Sequence, residues 1–339
     1  MNRGDRILTV VQSFRFGGTQ SNPYLTQLVR SLPDSVDVRQ FSWWLVLLGR
    51  YDVLHVHWPE WMIRRASRVK TAGRLVLLSL ALMRLSVSRS VIVRTVHNTT
   101  AHEPGHRIEA MVLRRMDRLT RAAIVLNPAA PPFGDVPSTL VLHGDYRDWF
   151  ADFPEATPES GRLVNFGLIR PYKGVERLLE TFSDIADPTL RLTIIGRPST
   201  ARLKRDIEDG AAGDERVHLE LSYLDDRRLA TEITRSSLVV LPYREMDNSG
   251  AVLLALSLAR PVLVPDTPAT RLLRDEVGER WVALFEGSLR DTDILSALER
   301  TDPFETDTPP DLSRRTWRRL GEQTAAVYRD AVESRRRAR

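Results

Sequence analysis

The stretch that decides the fold is "NFGLIRPYKGVERLLE", residues 165 to 180. It contains the end of an apolar strand, a loop that begins at Gly167, and a periodic helical segment that opens at Gly174. The loop carries two cations, Arg170 and Lys173. Cations beside the free amides of a helix start are suited to hold a diphosphate. The stretch therefore predicts a strand, a phosphate-binding loop and a helix.

Lys173 is notable because the chain makes little use of lysine. Among its 49 basic residues only Lys70, Lys173 and Lys204 are lysines. A compact ammonium group in a loop of this kind favours phosphate contact. A solvated basic loop without a ligand remains the alternative.

Strand-like and helix-like segments alternate on both sides of this loop, which predicts parallel sheets covered on both faces. A polar run with two prolines, residues 151–161, interrupts the alternation, and the pattern restarts after it. Before the interruption the predicted strands are 6–12, 36–41, 52–58, 90–98, 122–127 and 138–144, and the clearest helical segments are 61–86 and 105–120.

The pattern predicts an α/β chain with two Rossmann-like, doubly wound domains that face each other across a cleft. The first domain is predicted at 1–150 and the second at 162–310, joined by a linker at 151–161. Residues 311–339 form a predicted helix that could pack back on the first domain. Ligands of such sheets bind at the carboxyl ends of the strands, so the functional loops are expected there.

Composition narrows the class of protein. The chain has 339 residues, 42% of them hydrophobic, which suits two globular domains. It has no cysteine, which excludes disulfides and thiolate metal sites and fits a reducing compartment. The first apolar run follows an aspartate and is predicted to be a strand, not a secretory signal. A cytoplasmic location is expected.

Basic residues are concentrated in one region. The net charge is +5, and no acidic residue occurs between Trp61 and His102. The apolar run at 75–83 is far shorter than the ~20 residues of a membrane span. Residues 61–94 could instead lie on an anionic bilayer, or form an internal helix with a solvated basic face. A nucleic-acid partner is not expected.

The segment "GLIRPYKG" resembles the phosphate loop of family-4 glycosyltransferases of the GT-B fold, in particular a bacterial exopolysaccharide branch. The family pattern is Gly-Arg-Leu, three residues, then Lys-Gly. This chain keeps Gly167, Lys173 and Gly174, but has Leu168 at the arginine position and supplies Arg170 two residues later. The resemblance implies a first domain that binds the acceptor and a second that binds a nucleotide sugar.

The resemblance also implies a second donor segment, "REMDNSGAVLLALSLARPVLVP", residues 244–265. The family's two glutamates are absent, because alignment on Pro261 places Met246 and Leu254 there. Asn248 or Ser249 could contact the donor or simply cap the helix. The expected donor-binding residues are Gly17, Gly18, Gly167, Arg170, Lys173, Asp247, Asn248, Ser249 and Gly250.

In the first domain the resemblance implies that His97 points at the reacting sugar. Zinc is disfavoured for the histidines, since a helical His-Glu-x-x-His motif is absent. Gly17-Gly18 is not a dinucleotide fingerprint, which disfavours a nicotinamide enzyme. The expected catalytic residues are His97, Arg170, Lys173, Glu103 and Glu60, and the expected acceptor contacts are Asn98, His102 and His57.

Together these features predict a hexosyltransferase that uses GDP-mannose or a UDP-sugar and acts on a glycan or lipid-linked acceptor. No metal or cofactor is expected, and the location would be cytoplasmic or peripheral on the inner membrane face. The resemblance implies retention of configuration; inversion would require a base, and Glu60 or Glu103 is available. The alternatives are an inactive GT-B protein that binds glycan or acts as a scaffold, and a GT-B nucleotide-sugar epimerase.

Overall fold

The computed structural model describes residues 6–16, 22–97, 106–244, 246, 250–300 and 308–337. The chain divides into two compact units, residues 1–144 with 315–339, and residues 145–314. The division falls before residue 150, where the sequence analysis ended the first domain, because Tyr146 and Phe150 are buried in the core of the second unit.

The first unit is built on one parallel sheet of six strands in the order β2-β1-β3-β4-β5-β6. Val10, Val53, Val91 and Ile124 lie in the core on one side of this sheet, among the residues that it buries against helices. Its elements are β1 Leu8–Gln12, α1 Pro23–Ser31, β2 Val36–Arg39, α2 Trp43–Leu48, β3 Val53–Val56, α3 Pro59–Ile63, α4 Arg68–Val87, β4 Val91–Val96, α5 Arg107–Leu119, β5 Thr120–Val125 and β6 Ser138–Leu140.

Helix α4 is apolar on two opposite faces. One face is buried against the sheet through Leu78, Ala81, Leu82 and Leu85. The opposite face, which we call the exposed apolar stripe, recurs at helical spacing and faces solvent. Its members are Val69, Val76, Leu80, Met83 and Val87. Helix α2, which packs against α4, exposes Trp44 and Leu48 as well.

The second unit repeats the architecture with the strand order β12-β11-β10-β7-β8-β9, all pairs parallel. Its elements are α6 Arg147–Phe150, β7 Arg162–Phe166, α7 Val175–Ser183, β8 Arg191–Ile195, α8 Ala201–Ala211, β9 Val217–Glu220, α9 Asp226–Arg235, β10 Leu238–Val240, α10 Gly250–Ser257, β11 Val262–Pro265, α11 Pro268–Val277, β12 Val282–Phe285 and α12 Asp291–Arg300. The predicted α/β class with two parallel sheets is confirmed.

The last helix, α13 Trp317–Arg337, belongs to the first unit. It packs against α1 and against β4 and β5. Gly321 permits the close approach to α1, since a Cβ there would lie 2.0 Å from the carbonyl oxygen of Ser31. Trp317 and Tyr328 are buried in the same core cluster as the sheet residues. The carboxyl-terminal helix is thus an internal element of the first unit.

The strand orders indicate where ligands bind. In each sheet two neighbouring central strands are followed along the chain by strands on opposite sides of the sheet. These strands are β1 and β3 in the first unit and β10 and β7 in the second. Loops that follow the two strands of such a switch point diverge and leave a crevice for a ligand. The segments after β7 and β10, and those after β1 and β3, are therefore the ones to inspect.

Candidate functional site

The loop after β7 contains the predicted phosphate-binding residues. A short 3-10 turn, Pro171–Lys173, separates β7 from α7. Gly174 joins the turn to the helix in a left-handed conformation, with φ of 66°. A Cβ on Gly174 would lie 2.3 Å from the carbonyl oxygen of Pro242, which follows β10. Glycine therefore allows this loop to pack directly against the segment after the neighbouring strand at the switch point.

Lys173 lies inside this packed corner. Its Nζ is 4.9 Å from the centroid of the Tyr243 ring, in a cation–π contact. Burial lowers the pKa of Lys173, and the charge of Arg170 lowers it further, although Tyr172 acts in the opposite direction. Among the described residues no carboxylate forms an ion pair with Lys173. A partly desolvated cation of this kind would gain most from an anionic ligand.

Arg170 directly precedes the 3-10 turn, and the segment that follows β8 holds its loop in place. Ile169 accepts a backbone hydrogen bond from Ser199 and donates one to Arg197, at 2.9 and 3.1 Å. Leu168, at the position where the family pattern has arginine, is partly exposed. The cation of the family pattern is thus supplied in this chain from a neighbouring position of the same loop.

Two further arginines reach this corner through their backbones and were not anticipated from the sequence. Arg197 follows β8 and is bonded to Ile169, and the amide of Arg244, after β10, donates to the carbonyl of Tyr172 at 2.8 Å. Both follow apolar strands, which is the signal that could have identified them. The carboxyl edge of this sheet therefore carries Arg170, Lys173, Arg197 and Arg244 on three adjoining segments.

The segment after β10 leads into α10. Gly250 is the first residue of α10, and Met246 before it is buried. Leu254 is half-buried and packs against the same core cluster as Met246. The two positions where the family pattern has glutamates thus belong to the apolar core of the second unit. Asp247, Asn248 and Ser249 lie outside the described residues.

In the first unit, four histidines gather at the carboxyl end of the sheet. We call His55, His57, His97 and His143 the histidine cluster. His57 Nδ1 lies 3.0 Å from His97 Nε2. His97 stacks on Trp58, with ring centroids 3.9 Å apart. The sequence analysis anticipated His97 and His57, but not the contribution of His55 and His143.

Burial keeps the histidine cluster neutral. It lowers the pKa of His55 to about 3 and that of His143 to about 4, although a hydrogen bond to the Gly144 carbonyl partly opposes the shift at His143. The pKa of His57 and that of His97 also lie well below the usual value, first through burial and then because a charge on a neighbouring histidine or, at His97, on Arg94 would oppose protonation. All four rings are therefore uncharged at neutral pH.

Of the remaining predicted residues, some are described by the structure and the others are not. Glu60 is half-buried in the first turn of α3, directly after the end of β3 and close in sequence to His57. His57 is only 2% exposed, so its ring contacts protein and not solvent. Within the described part of the chain, no group of three His, Asp or Glu side chains is placed to hold a metal ion. Gly17, Gly18, Asn98, His102 and Glu103 lie outside the described residues.

The fold and the phosphate loop together define the class: a GT-B protein. Comparison with known proteins supports the class. Residues 160–292 match the profile of the family described as glycosyl transferases group 1. This chain is 44% identical to a GDP-mannose:glycolipid 4-beta-D-mannosyltransferase of Xanthomonas campestris pv. campestris. The match extends over 328 residues, which are 96% of this chain and 93% of the relative. The chain belongs to the group 1 glycosyl transferases.

Solved structures agree on the fold. Anabaena Alr3699/HepE in complex with UDP superposes with a TM-score of 0.62 at 13% identity, covering 96% of this chain and all of that one. A putative UDP-N-acetylglucosamine 2-epimerase from Listeria monocytogenes gives 0.55 at 14% identity, with 97% of each chain covered. Transferases and epimerases therefore share this fold, and it is the sequence relatives that identify the chain as a glycosyltransferase.

Proposed function

We propose that this chain transfers mannose from GDP-mannose to a lipid-linked glycan and forms a β-linkage. The observation that carries the proposal is Lys173, a partly desolvated cation without a described carboxylate partner, next to Arg170 on the phosphate loop. Relatives that match along almost the whole chain are named as GDP-mannose:glycolipid 4-beta-D-mannosyltransferases. Their names supply the donor, the acceptor class and the linkage.

A β product would require inversion, because the mannose of GDP-mannose is α-linked. The proposal thus departs from the retention that the resemblance implied. In a single displacement, the acceptor oxygen bonds to the anomeric carbon as the bond to the diphosphate breaks. The acceptor hydroxyl then loses its proton to a carboxylate, for which Glu60 in the first turn of α3 is the described candidate. The missing family glutamates fit this change, since Met246 and Leu254 belong to the core.

The departing diphosphate gains charge during this step. Lys173 and Arg170 would stabilise that charge, and they do not need to reorganise to do so because the loop is fixed by backbone bonds. The four described cations on this edge would neutralise the diphosphate by protein groups alone. Transfer without a metal ion is part of the proposal, and full activity in the presence of a strong chelator would support it.

Donor choice is tested by ligand-induced stabilisation. We expect GDP and GDP-mannose to raise the melting temperature, while UDP and UDP-glucose leave it unchanged at equal concentration. A ligand at 100 times its Kd stabilises the fold by about 2.7 kcal/mol, which is readily measured. The product formed from GDP-mannose should carry a β-linkage by NMR. A UDP-specific shift or an α-linked product would contradict the proposal.

We further propose that the exposed apolar stripe of α4 rests on an anionic bilayer that holds the lipid-linked acceptor. Val69 is 81% exposed and Trp44 of α2 is 76% exposed, which is unusual for large apolar side chains. Arg68 and Lys70 lie on the same helix and no acid accompanies them between Trp61 and His102. No helix in the described part of the chain is long and apolar enough to cross a membrane.

Vesicle sedimentation tests this contact. We expect the protein to pellet with vesicles containing anionic lipid at low salt and to be released at high salt, because charge screening weakens surface attraction. Met83→Glu should lower vesicle binding at least tenfold, since it removes about 1.5–3 kcal/mol of apolar burial. The control is Leu272→Glu on α11, a residue 42% exposed in the second unit. Equal losses in the two variants, or equal pelleting with neutral vesicles, would contradict the proposal.

A further inference from the structure

The two histidines that end β3 and β4 form a directly bonded pair. His57 Nδ1 and His97 Nε2 are 3.0 Å apart, so one proton lies between the rings. The other nitrogen of His57, Nε2, is buried and has no hydrogen-bond partner among the described residues. Because both rings are neutral, each carries one proton, and the shared proton decides which nitrogen of His97 is protonated.

Two arrangements of this proton are possible, and they differ at His57. If His97 donated to His57, the buried Nε2 of His57 would carry an unsatisfied N–H group. If His57 donates to His97, the same nitrogen holds only an unused lone pair. Buried N–H groups without an acceptor are rarer in folded proteins than acceptors without a donor. The second arrangement is therefore favoured.

We propose that His57 is a positioning residue, which donates its Nδ1–H to His97 Nε2 and so holds His97 in the tautomer protonated at Nδ1. The proposal rests on the sugar transfer proposed above and on the role, implied by the family resemblance, that His97 points at the reacting sugar. In this tautomer His97 offers a substrate oxygen a hydrogen-bond donor and does not act as a base. The proton of the acceptor hydroxyl must then leave to a carboxylate.

The surroundings of the pair fix both rings. The backbone N–H of His57 donates to Ser13 Oγ at 3.2 Å. Trp58 covers one face of His97, and the His55 ring lies 4.3 Å from that of His57. Because the His57 ring is buried against other rings, its effect on a substrate is exerted through His97.

His55 is itself locked by a hydroxyl from the last helix. The hydroxyl oxygen of Tyr328 is 2.7 Å from His55 Nδ1, and the side-chain amide of Gln12 donates a hydrogen bond to the same hydroxyl. The Tyr328 proton is therefore directed to His55, whose Nε2–H in turn faces Thr95 Oγ1 at 2.8 Å. Helix α13 thus helps to hold the His57–His97 pair in place, although this helix is far from both histidines in sequence.

Other groups around His97 keep the pair neutral. Tyr24 contacts the His97 ring edge to face, and its own ring lies 4.6 Å from that of His143. After burial itself, His143, His55 and Arg94 are the groups that lower the pKa of His97. Within the part of the chain that the structure describes, no acid is among these causes. The tautomer should therefore persist across the pH range in which the enzyme is folded.

The tautomer can be read directly from ring nitrogen shifts in the full chain labelled with ¹⁵N-histidine. We expect His97 protonated at Nδ1 and unprotonated at Nε2. His143 provides an internal reference, because its Nδ1 lies 2.9 Å from the Gly144 carbonyl and must donate to it. A His97 ring protonated at Nε2 in the unmodified protein would overturn the proposal. This measurement needs no activity, so failure of the proposed function would be seen separately as absence of transfer from every donor.

Substitutions of His57 test the consequence for transfer. His57→Leu should allow both tautomers of His97 and lower kcat by about 100-fold, as expected for a reacting group held in the wrong geometry, with little change in donor KM. His57→Asn places a donor near the position of Nδ1 and should restore most of the rate. The matched control, His218→Asn, changes an exposed histidine on β9.

Each outcome decides the question. An unchanged His97 tautomer or an unchanged kcat in a folded His57→Leu protein would overturn the proposal. If His57→Leu does not fold, the ring nitrogen shifts of His97 in the unmodified protein and the transfer rate of His57→Asn decide whether the proposal holds. If His57→Asn lost as much rate as His57→Leu, each compared with the control His218→Asn, the result would also count against the proposal.

Discussion

Replacing Lys173 with alanine is expected to lower the rate of sugar transfer by about two orders of magnitude or more while the fold remains intact. The reason is electrostatic, because removal of one fixed donor from a developing anion costs about 2.7–4 kcal/mol. The Lys173 side chain packs on Tyr243 but forms no ion pair with a described carboxylate, so its loss leaves no unpaired acid. The measurement is steady-state kinetics with donor and lipid-linked acceptor.

The matched control for this variant is Lys204→Ala. Lys204 lies on α8 with 52% of its side chain exposed, paired with Glu208 at 3.5 Å. We expect its loss to change neither transfer nor stability measurably, as for most exposed ion pairs. Unchanged turnover in the Lys173 variant would rule out the phosphate-loop mechanism.

Acid is expected to unfold the first unit well before its carboxylates are all protonated. In the unfolded chain a histidine takes up a proton near pH 6.5. In the folded chain burial postpones this to about pH 4 for His143 and about pH 3 for His55. Below pH 6.5 the unfolded state therefore binds more protons, and stability falls by about 1.4 kcal/mol per pH unit for each histidine.

These two histidines alone would remove on the order of 5 kcal/mol between pH 6.5 and pH 4, which is comparable to the whole stability of a marginal domain. Urea unfolding at a series of pH values measures the slope. In His143→Asn we expect the change in the free energy of unfolding per pH unit to become smaller, by the amount that corresponds to about one bound proton. In His218→Asn, which changes an exposed histidine, we expect it to stay the same. A free energy of unfolding that is constant from pH 7 to pH 5 would contradict this account.

Much of the fold followed from local pattern. The strands were predicted because each is a short apolar run bounded by turn residues. The structure has a strand that overlaps each of those runs, although β5 begins at Thr120, two residues before the predicted start. The helical segment 61–86 was predicted as continuous, whereas the structure has α3 and α4 with a break at 64–67. Helix α2 was not identified, since a six-residue helix shows too little periodicity.

The candidate site was predictable only where its residues are close in sequence. Arg170, Lys173 and Gly174 share one loop, so their chemistry is visible in the sequence alone. Arg197 and Arg244 join them only because parallel strands place their ends along the same edge of the sheet. Tyr328 shows the limit most clearly, because its contact with His55 joins residues that are 273 positions apart. Pairings of that kind depend on the tertiary fold and leave no local pattern.

The return of α13 to the first unit affects how the protein is made. A ribosome synthesises the chain from the amino terminus, and domains generally fold as they emerge. The first unit cannot do so fully, because Trp317 and Tyr328 of its core are translated only after the entire second unit. Its nascent sheet must wait with an uncovered apolar surface until α13 has been made and docks onto the portion made first.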